Sequence, residues 1–227
     1  MLPRPLAVPS DMGPVNALVY ERLGEPACMA LVLAHGAGAG QRHPFIVSFA
    51  ESLAALGIDV VTFNFPYMEQ QRTVPDRAPI LERCYRQVVE IVRRHVPASN
   101  GALFIGGKSM GGRMATHIAA ADHGLPLAGL VLLGYPLHPP GQPEKRRDAH
   151  LPQVGRPALF VQGSRDTFGT PEELRPALDR MAPAPTLHVV DGGDHSFKVA
   201  RAGKAGQAAI EASIQRVMAA WMRHIAG

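Results

Sequence analysis

Apolar residues in this chain gather into short runs of strand length, separated by stretches in which they recur at helical spacing. The runs lie at 30–34 (A-L-V-L-A), 58–63, 102–105, 129–133, 158–162 and 187–190, with a further short strand candidate at 15–20. Runs with little polar alternation suit strands covered on both faces. Between them, Phe45, Ile46, Phe49, Leu53 and Leu56 follow a helical period that Gly57 ends. Ile80, Leu81, Cys84, Val88, Ile91 and Val92 form the stripe of a helix over 79–95, and Pro97 closes it. Residues 110–121 are helix-compatible. Thr170-Pro171-Glu172-Glu173 opens another helix with a capping box. The chain ends in an amphipathic helix carrying Ile210, Ile214, Val217, Met218, Trp221, Met222 and Ile225, expected to pack on the sheet rather than to form a dimer face. Such alternation predicts a mostly parallel sheet with helices on both faces. Residues 1–14, broken by prolines, are expected to be a flexible arm. Residues 64–67 and the Pro-rich 135–157 are expected to be loops, the latter too short for a large helical cap. No repeat or linker divides the chain, so residues 1–227 are expected to form a single domain.

Composition narrows the function classes. Hydrophobic residues make up 46% of the 227, enough to fill one sizeable core. The net charge is +4, and the basic residues are dispersed apart from Lys145-Arg146-Arg147. Without a basic stripe interleaved with aromatics, nucleic acid is not expected as a partner. No apolar run reaches membrane-spanning length, so no membrane is expected either. The N-terminal residues lack a signal-peptide pattern. The two cysteines, Cys28 and Cys84, have no metal spacing, and Cys84 falls on an apolar helix face as a buried thiol. A reducing cytoplasm is the expected setting.

The chemistry centres on Gly106-Gly107-Lys108-Ser109-Met110-Gly111-Gly112-Arg113. Gly107, Ser109 and Gly111 fit G-x-S-x-G between an apolar strand and a helix, the context of a nucleophile elbow. A side chain at either flanking position would crowd so sharp a turn. A phosphate loop ending in Lys108-Ser109 would need glycine where Ala102 stands. Two further strand ends carry matching groups. Asp166 follows the strand at 158–162, and His195 follows the strand at 187–190 in Asp191-Gly192-Gly193-Asp194-His195. In parallel sheets, active residues collect beyond the carboxyl ends of strands. Serine needs a base, histidine titrates near neutrality, and a carboxylate fixes its tautomer, so Ser109, His195 and Asp166 are the expected catalytic residues.

The oxyanion donors are expected to be the amides of Met110, next after the nucleophile, and Ala37, in the Gly-rich turn 35–40. Gly36 is the second choice in that turn and a candidate for substrate contact. A dinucleotide fingerprint there fails, because Gln41 occupies the third glycine position. Lys108 has two readings. It can support the turn by meeting a carboxylate or carbonyl, which its place beside the nucleophile favours. It can also join Arg42, His43 and Arg72 in an electropositive mouth, with Tyr67 at the rim as a substrate contact. No His117, Asp122 or His123 spacing suggests a metal, and neither metal nor cofactor is expected.

The segments H-G-A-G-A-G, F-N-F-P-Y, G-G-K-S-M-G-G-R, G-S-R-D-T-F-G and D-G-G-D-H-S-F together resemble a compact, cap-poor group of the α/β-hydrolase superfamily related to dienelactone hydrolases. The resemblance runs from about residue 15 to residue 225. It implies the α/β-hydrolase fold and the triad Ser109, Asp166 and His195, with serine where dienelactone hydrolases use cysteine. Their substrate therefore does not carry over. The expected activity is hydrolysis of small soluble carboxylic esters or thioesters through an acyl-enzyme. The alternative is a non-catalytic interaction or scaffold protein that keeps the fold.

Overall fold

The computed structural model describes residues 2–11, 13–24 and 28–227. Its frame is one eight-stranded sheet in the order β1-β2-β4-β3-β5-β6-β7-β8. The strands are β1 (Arg4–Val8), β2 (Val15–Tyr20), β3 (Met29–Ala34), β4 (Asp59–Phe63), β5 (Ala102–Lys108), β6 (Gly129–Leu133), β7 (Ala158–Gly163) and β8 (Thr186–Val190). From β4 to β8 every neighbouring pair is parallel, while β1 and β2 join antiparallel. The six parallel strands run the same way, so their carboxyl ends share one face of the molecule.

Alternate residues of the strands feed two cores. On one side Val32, Leu103 and Ile105 pack with α3 (Ala78–His95), α4 (Met110–Ala121) and α5 (Pro171–Leu178). On the other, Leu31, Leu33 and Phe104 pack with α1 (Pro44–Ala55) and α6 (Gly203–Ala226). Burial on both faces explains why the strands read as unbroken apolar runs. The stripe of α3 faces the first core, and burial pushes the Cys84 thiol up to about 12. Ile214, Met218 and Met222 of α6 are buried in the second core, as the terminal pattern predicts. Thr170 caps α5 in a complete capping box with Glu173.

Two expectations need correction. The arm at 1–14 contains β1, whose Leu6 and Val8 are buried while Pro5 and Ala7 are exposed. Its period-two pattern is masked by Pro3, Pro5 and Pro9, residues an edge strand tolerates. Met1 and Met12 of that arm lie outside the described residues. The loop at 64–67 leads into a short helix, α2 (Pro66–Glu69), with Pro66 in its first turn. Glu69 ties it to β2 by accepting from the Asn16 amide and side chain at 3.1 and 2.7 Å. Between β6 and β7 the chain forms only a 3₁₀ turn, Leu151–Gln153, and among the described residues no helical cap covers the carboxyl-end face.

Candidate active site

β5 ends at Lys108, and α4 begins at Met110, which leaves Ser109 to make the whole reversal. Its backbone is at φ 50°, ψ −115°, a region that disfavours a residue with a Cβ. The Ser109 amide donates to the Leu133 carbonyl at 2.9 Å and pins the turn to β6. The flanking glycines are needed for contact. A Cβ on Gly107 would lie 2.4 Å from the Ala34 carbonyl oxygen, and one on Gly111 would lie 2.6 Å from the His35 carbonyl oxygen. Any side chain there would push α4 off the end of β3.

Ser109, Asp166 and His195 come together. Ser109 Oγ is 2.9 Å from His195 Nε2, and His195 Nδ1 is 2.8 Å from Asp166 Oδ2. With Nδ1–H donating to the carboxylate, Nε2 is left to accept from the serine hydroxyl. Asp166 is 1% exposed, and its other oxygen accepts from the Phe168 amide at 2.8 Å. Asp194 serves the loop instead, accepting from the Ser196 and Lys198 amides at 2.7 and 2.9 Å.

Two neighbours of this relay escape sequence reasoning. Gln162, fully buried in β7, donates to Asp166 Oδ2 at 2.8 Å and to the Gly169 carbonyl at 2.7 Å, while accepting from the Tyr135 amide at 2.8 Å. A polar residue inside an apolar strand is the available signal, since buried amides need partners. Phe168 stacks on the His195 ring at 4.1 Å between centroids. No sequence pattern marks that contact.

The turn after β3 lies against the serine: a Cβ on Gly36 would sit 3.6 Å from Ser109 Cβ. His35 is fully buried, and burial pushes its pKa down to about 4, so the ring is neutral near pH 7. Its Nε2 accepts from the Phe65 amide at 3.1 Å, which leaves Nδ1–H to donate to the Gly36 carbonyl at 2.8 Å. A peptide unit is planar and trans, so fixing that carbonyl turns the Ala37 N–H the opposite way. Ala37 is exposed and lines a cavity of about 660 Å³ bordered by Ser109 and His195. Met110 opens α4, where first-turn amides have no helical acceptor.

Tyr67 is not a rim residue. It is fully buried, and its hydroxyl donates to the Ala37 carbonyl at 2.9 Å, because α2 turns the side chain inward beneath the turn. Lys108 Nζ donates to the His195 carbonyl at 2.6 Å, the supporting arrangement. Burial pushes its pKa down to about 8, against the opposing charges of Asp166 and Asp194. The electropositive mouth does not assemble. Arg72 pairs with Asp76, and Arg42 lines a separate cleft with Asn16 and Asn64. His43 does border the cavity, but as the N-cap of α1 it accepts from the Phe45 amide at 3.2 Å. The cavity wall beside Ser109 is mainly apolar, built from Pro44, Phe45, Ile46 and Phe168. Its charged lining residues are Lys108, Lys198 and Glu211. His117, half-buried as its place on α4 suggests, lies outside this group and pairs with Glu82 at 2.7 Å. Among the described residues no three His, Cys, Asp or Glu side chains cluster as metal ligands.

A model of the alpha/beta hydrolase domain matches residues 27–226. The chain belongs to the α/β-hydrolase family. Solved structures agree with this at the level of fold. This α/β-hydrolase superposes with a TM-score of 0.73 on an α/β serine hydrolase without lid from Xanthomonas campestris, at 21% identity over 97% of this chain and 95% of that one. An α/β serine hydrolase homologue from Coxiella burnetii gives 0.77 at 17% identity over 96% and 98%. Dienelactone hydrolase from Anabaena variabilis gives 0.75 at 16% identity over 99% of both chains. The mostly parallel, lidless frame is therefore a fold this chain shares with those structures.

Proposed function

We propose that the protein is a serine hydrolase that cleaves small carboxylic esters or thioesters through an acyl-enzyme. The observation that carries this reading is the hydrogen-bonded series Ser109–His195–Asp166, at 2.9 and 2.8 Å, with Ser109 raised on a strained turn beside an open cavity. Ser109 Oγ attacks the ester carbonyl while His195 Nε2 takes its proton. Asp166 steadies the resulting imidazolium. The Ala37 and Met110 amides receive the developing oxyanion, a contribution of roughly 2.7–4 kcal/mol for each donor. His195 then returns the proton to the leaving alcohol or thiol, and water repeats the sequence to release the acid. Besides the ester and one water, the chemistry draws only on side chains and amides of this chain. The apolar wall favours neutral acyl groups over carboxylated ones, in keeping with Lys108 being engaged by a backbone carbonyl. Two free cysteines fit a cytoplasmic setting, and among the described residues no helix is long and apolar enough to cross a membrane.

The test is reaction with a fluorophosphonate probe followed by a panel of neutral esters of increasing acyl length. Wild type is expected to label and to turn over. Ser109→Ala is expected to lose labelling and about 10⁶ in kcat while keeping its circular dichroism spectrum. A folded wild type that neither labels nor hydrolyses any ester would leave the non-catalytic reading in its place.

A further inference from the structure

Ser109 and His195 come from distant parts of the chain, and a productive relay requires their hydrogen bond to hold. Ser109 is fixed by the strand before it and the helix after it. His195 sits in the loop between β8 and α6, outside regular structure. That loop has its own braces. The Gly193 carbonyl accepts from the Arg165 amide at 2.9 Å, and the Phe197 carbonyl accepts from Gln207 at 3.0 Å. Closer in, Asp194 accepts from the Ser196 and Lys198 amides at 2.7 and 2.9 Å and joins its backbone to those of Phe197 and Lys198, yet all of these bonds flank His195 and none is made by it. Among the described residues, the one hydrogen bond made by the His195 backbone is from Lys108 Nζ, at 2.6 Å.

We propose that Lys108 is a positioning residue for His195, a side-chain strap by which the residue before the nucleophile sets the distance to the base. The inference rests on the serine-hydrolase reading of this site. Three features fit it. The strap starts one residue from Ser109, so it ties the base to the nucleophile's own backbone. The ammonium lies 5.6 Å from the centre of the buried Phe197 ring, two residues beyond His195, so the cation also steadies the loop from beneath. Gly134, at φ +62°, keeps the space clear: a Cβ there would lie 2.8 Å from Nζ and 3.0 Å from the His195 carbonyl oxygen.

Lys108→Met keeps the length of the side chain and removes the donor. The expected result is a fall in kcat of about 10²-fold, the scale of an ångström-sized misplacement, with KM within about twofold and a thermal midpoint no lower than wild type. Proton NMR of ¹⁵N-histidine-labelled protein follows the His195 Nδ1–H, which should broaden or shift in the variant. Lys108→Arg keeps the charge but brings a bulkier head against Gly134. It should show the same kcat loss and resonance change, and it replaces the methionine variant if that one does not fold. A folded Lys108 variant with kcat within about threefold of wild type and an unchanged Nδ1–H resonance overturns the proposal. A wild type that neither labels nor turns over would refute the hydrolase reading, while the resonance comparison would still decide whether Lys108 places the imidazole.

Discussion

Asp166 and Asp194 both lie close to His195, and their hydrogen bonds separate their roles. Asp166 faces His195 Nδ1 at 2.8 Å, whereas Asp194 accepts two backbone amides of its own loop. Asp166→Asn is expected to lower kcat by about 10⁴, because the imidazole loses the anion that fixes its tautomer. Asp194→Asn should leave turnover near wild type and reduce stability by about 1 kcal/mol. Ester turnover and urea unfolding of the two variants check both statements, and the reverse ranking would exchange the assignments. Ser109, Asp166 and His195 are legible in the sequence because each follows a strand run and one sits in a glycine frame that few other structures need. The supports are not legible in the same way. Gln162, Phe168 and Tyr67 act through contacts that only the folded chain creates, and Tyr67 misleads because its loop position suggests a rim.

The elements are readable where burial covers both faces, since β3, β6 and β7 appear as apolar runs with boundaries within one residue, while β5 extends three residues beyond its run, through Gly106 and Gly107 to Lys108. β1 was not readable, because its two inward residues stand among prolines. Its burial nevertheless gives it weight. Val8 is 1% exposed and packs in the core beneath α3, so Val8→Ala should cost about 1.5–2 kcal/mol. A urea midpoint that does not move would mean that β1 frays without consequence. The elbow shows the opposite case. There Gly107 and Gly111 are visible in sequence because the close approach of β3 excludes a side chain, and packing and pattern carry the same information.

Across the whole molecule, the buried His35 and the half-buried His150 make stability depend on pH. Burial pushes both His35 and His150 down to about 4, below their ordinary value of 6.5. The unfolded chain therefore binds more protons between those values, so their contribution is complete above about 6.5 and is lost as pH falls toward 4. For the fully buried His35 the loss is up to about 3 kcal/mol. Urea unfolding at pH 7, 5.5 and 4.5 should show this decline, and His150→Phe should make it shallower. An identical slope in that variant would remove His150 from the account. The outer margin of the sheet is set by a simpler device. On a strand, backbone groups of one parity point toward the neighbour and those of the other parity point away. Pro5 pairs opposite Leu18 and has no amide hydrogen to give, so its parity is the outward one. Pro3 and Pro9 share that parity, which leaves Ala7 as the outward amide donor along this short rim. A foreign strand approaching here meets carbonyl acceptors but a single amide donor, too few for a ladder, and the prolines that hide β1 from a sequence reader also guard this border of the sheet against aggregation.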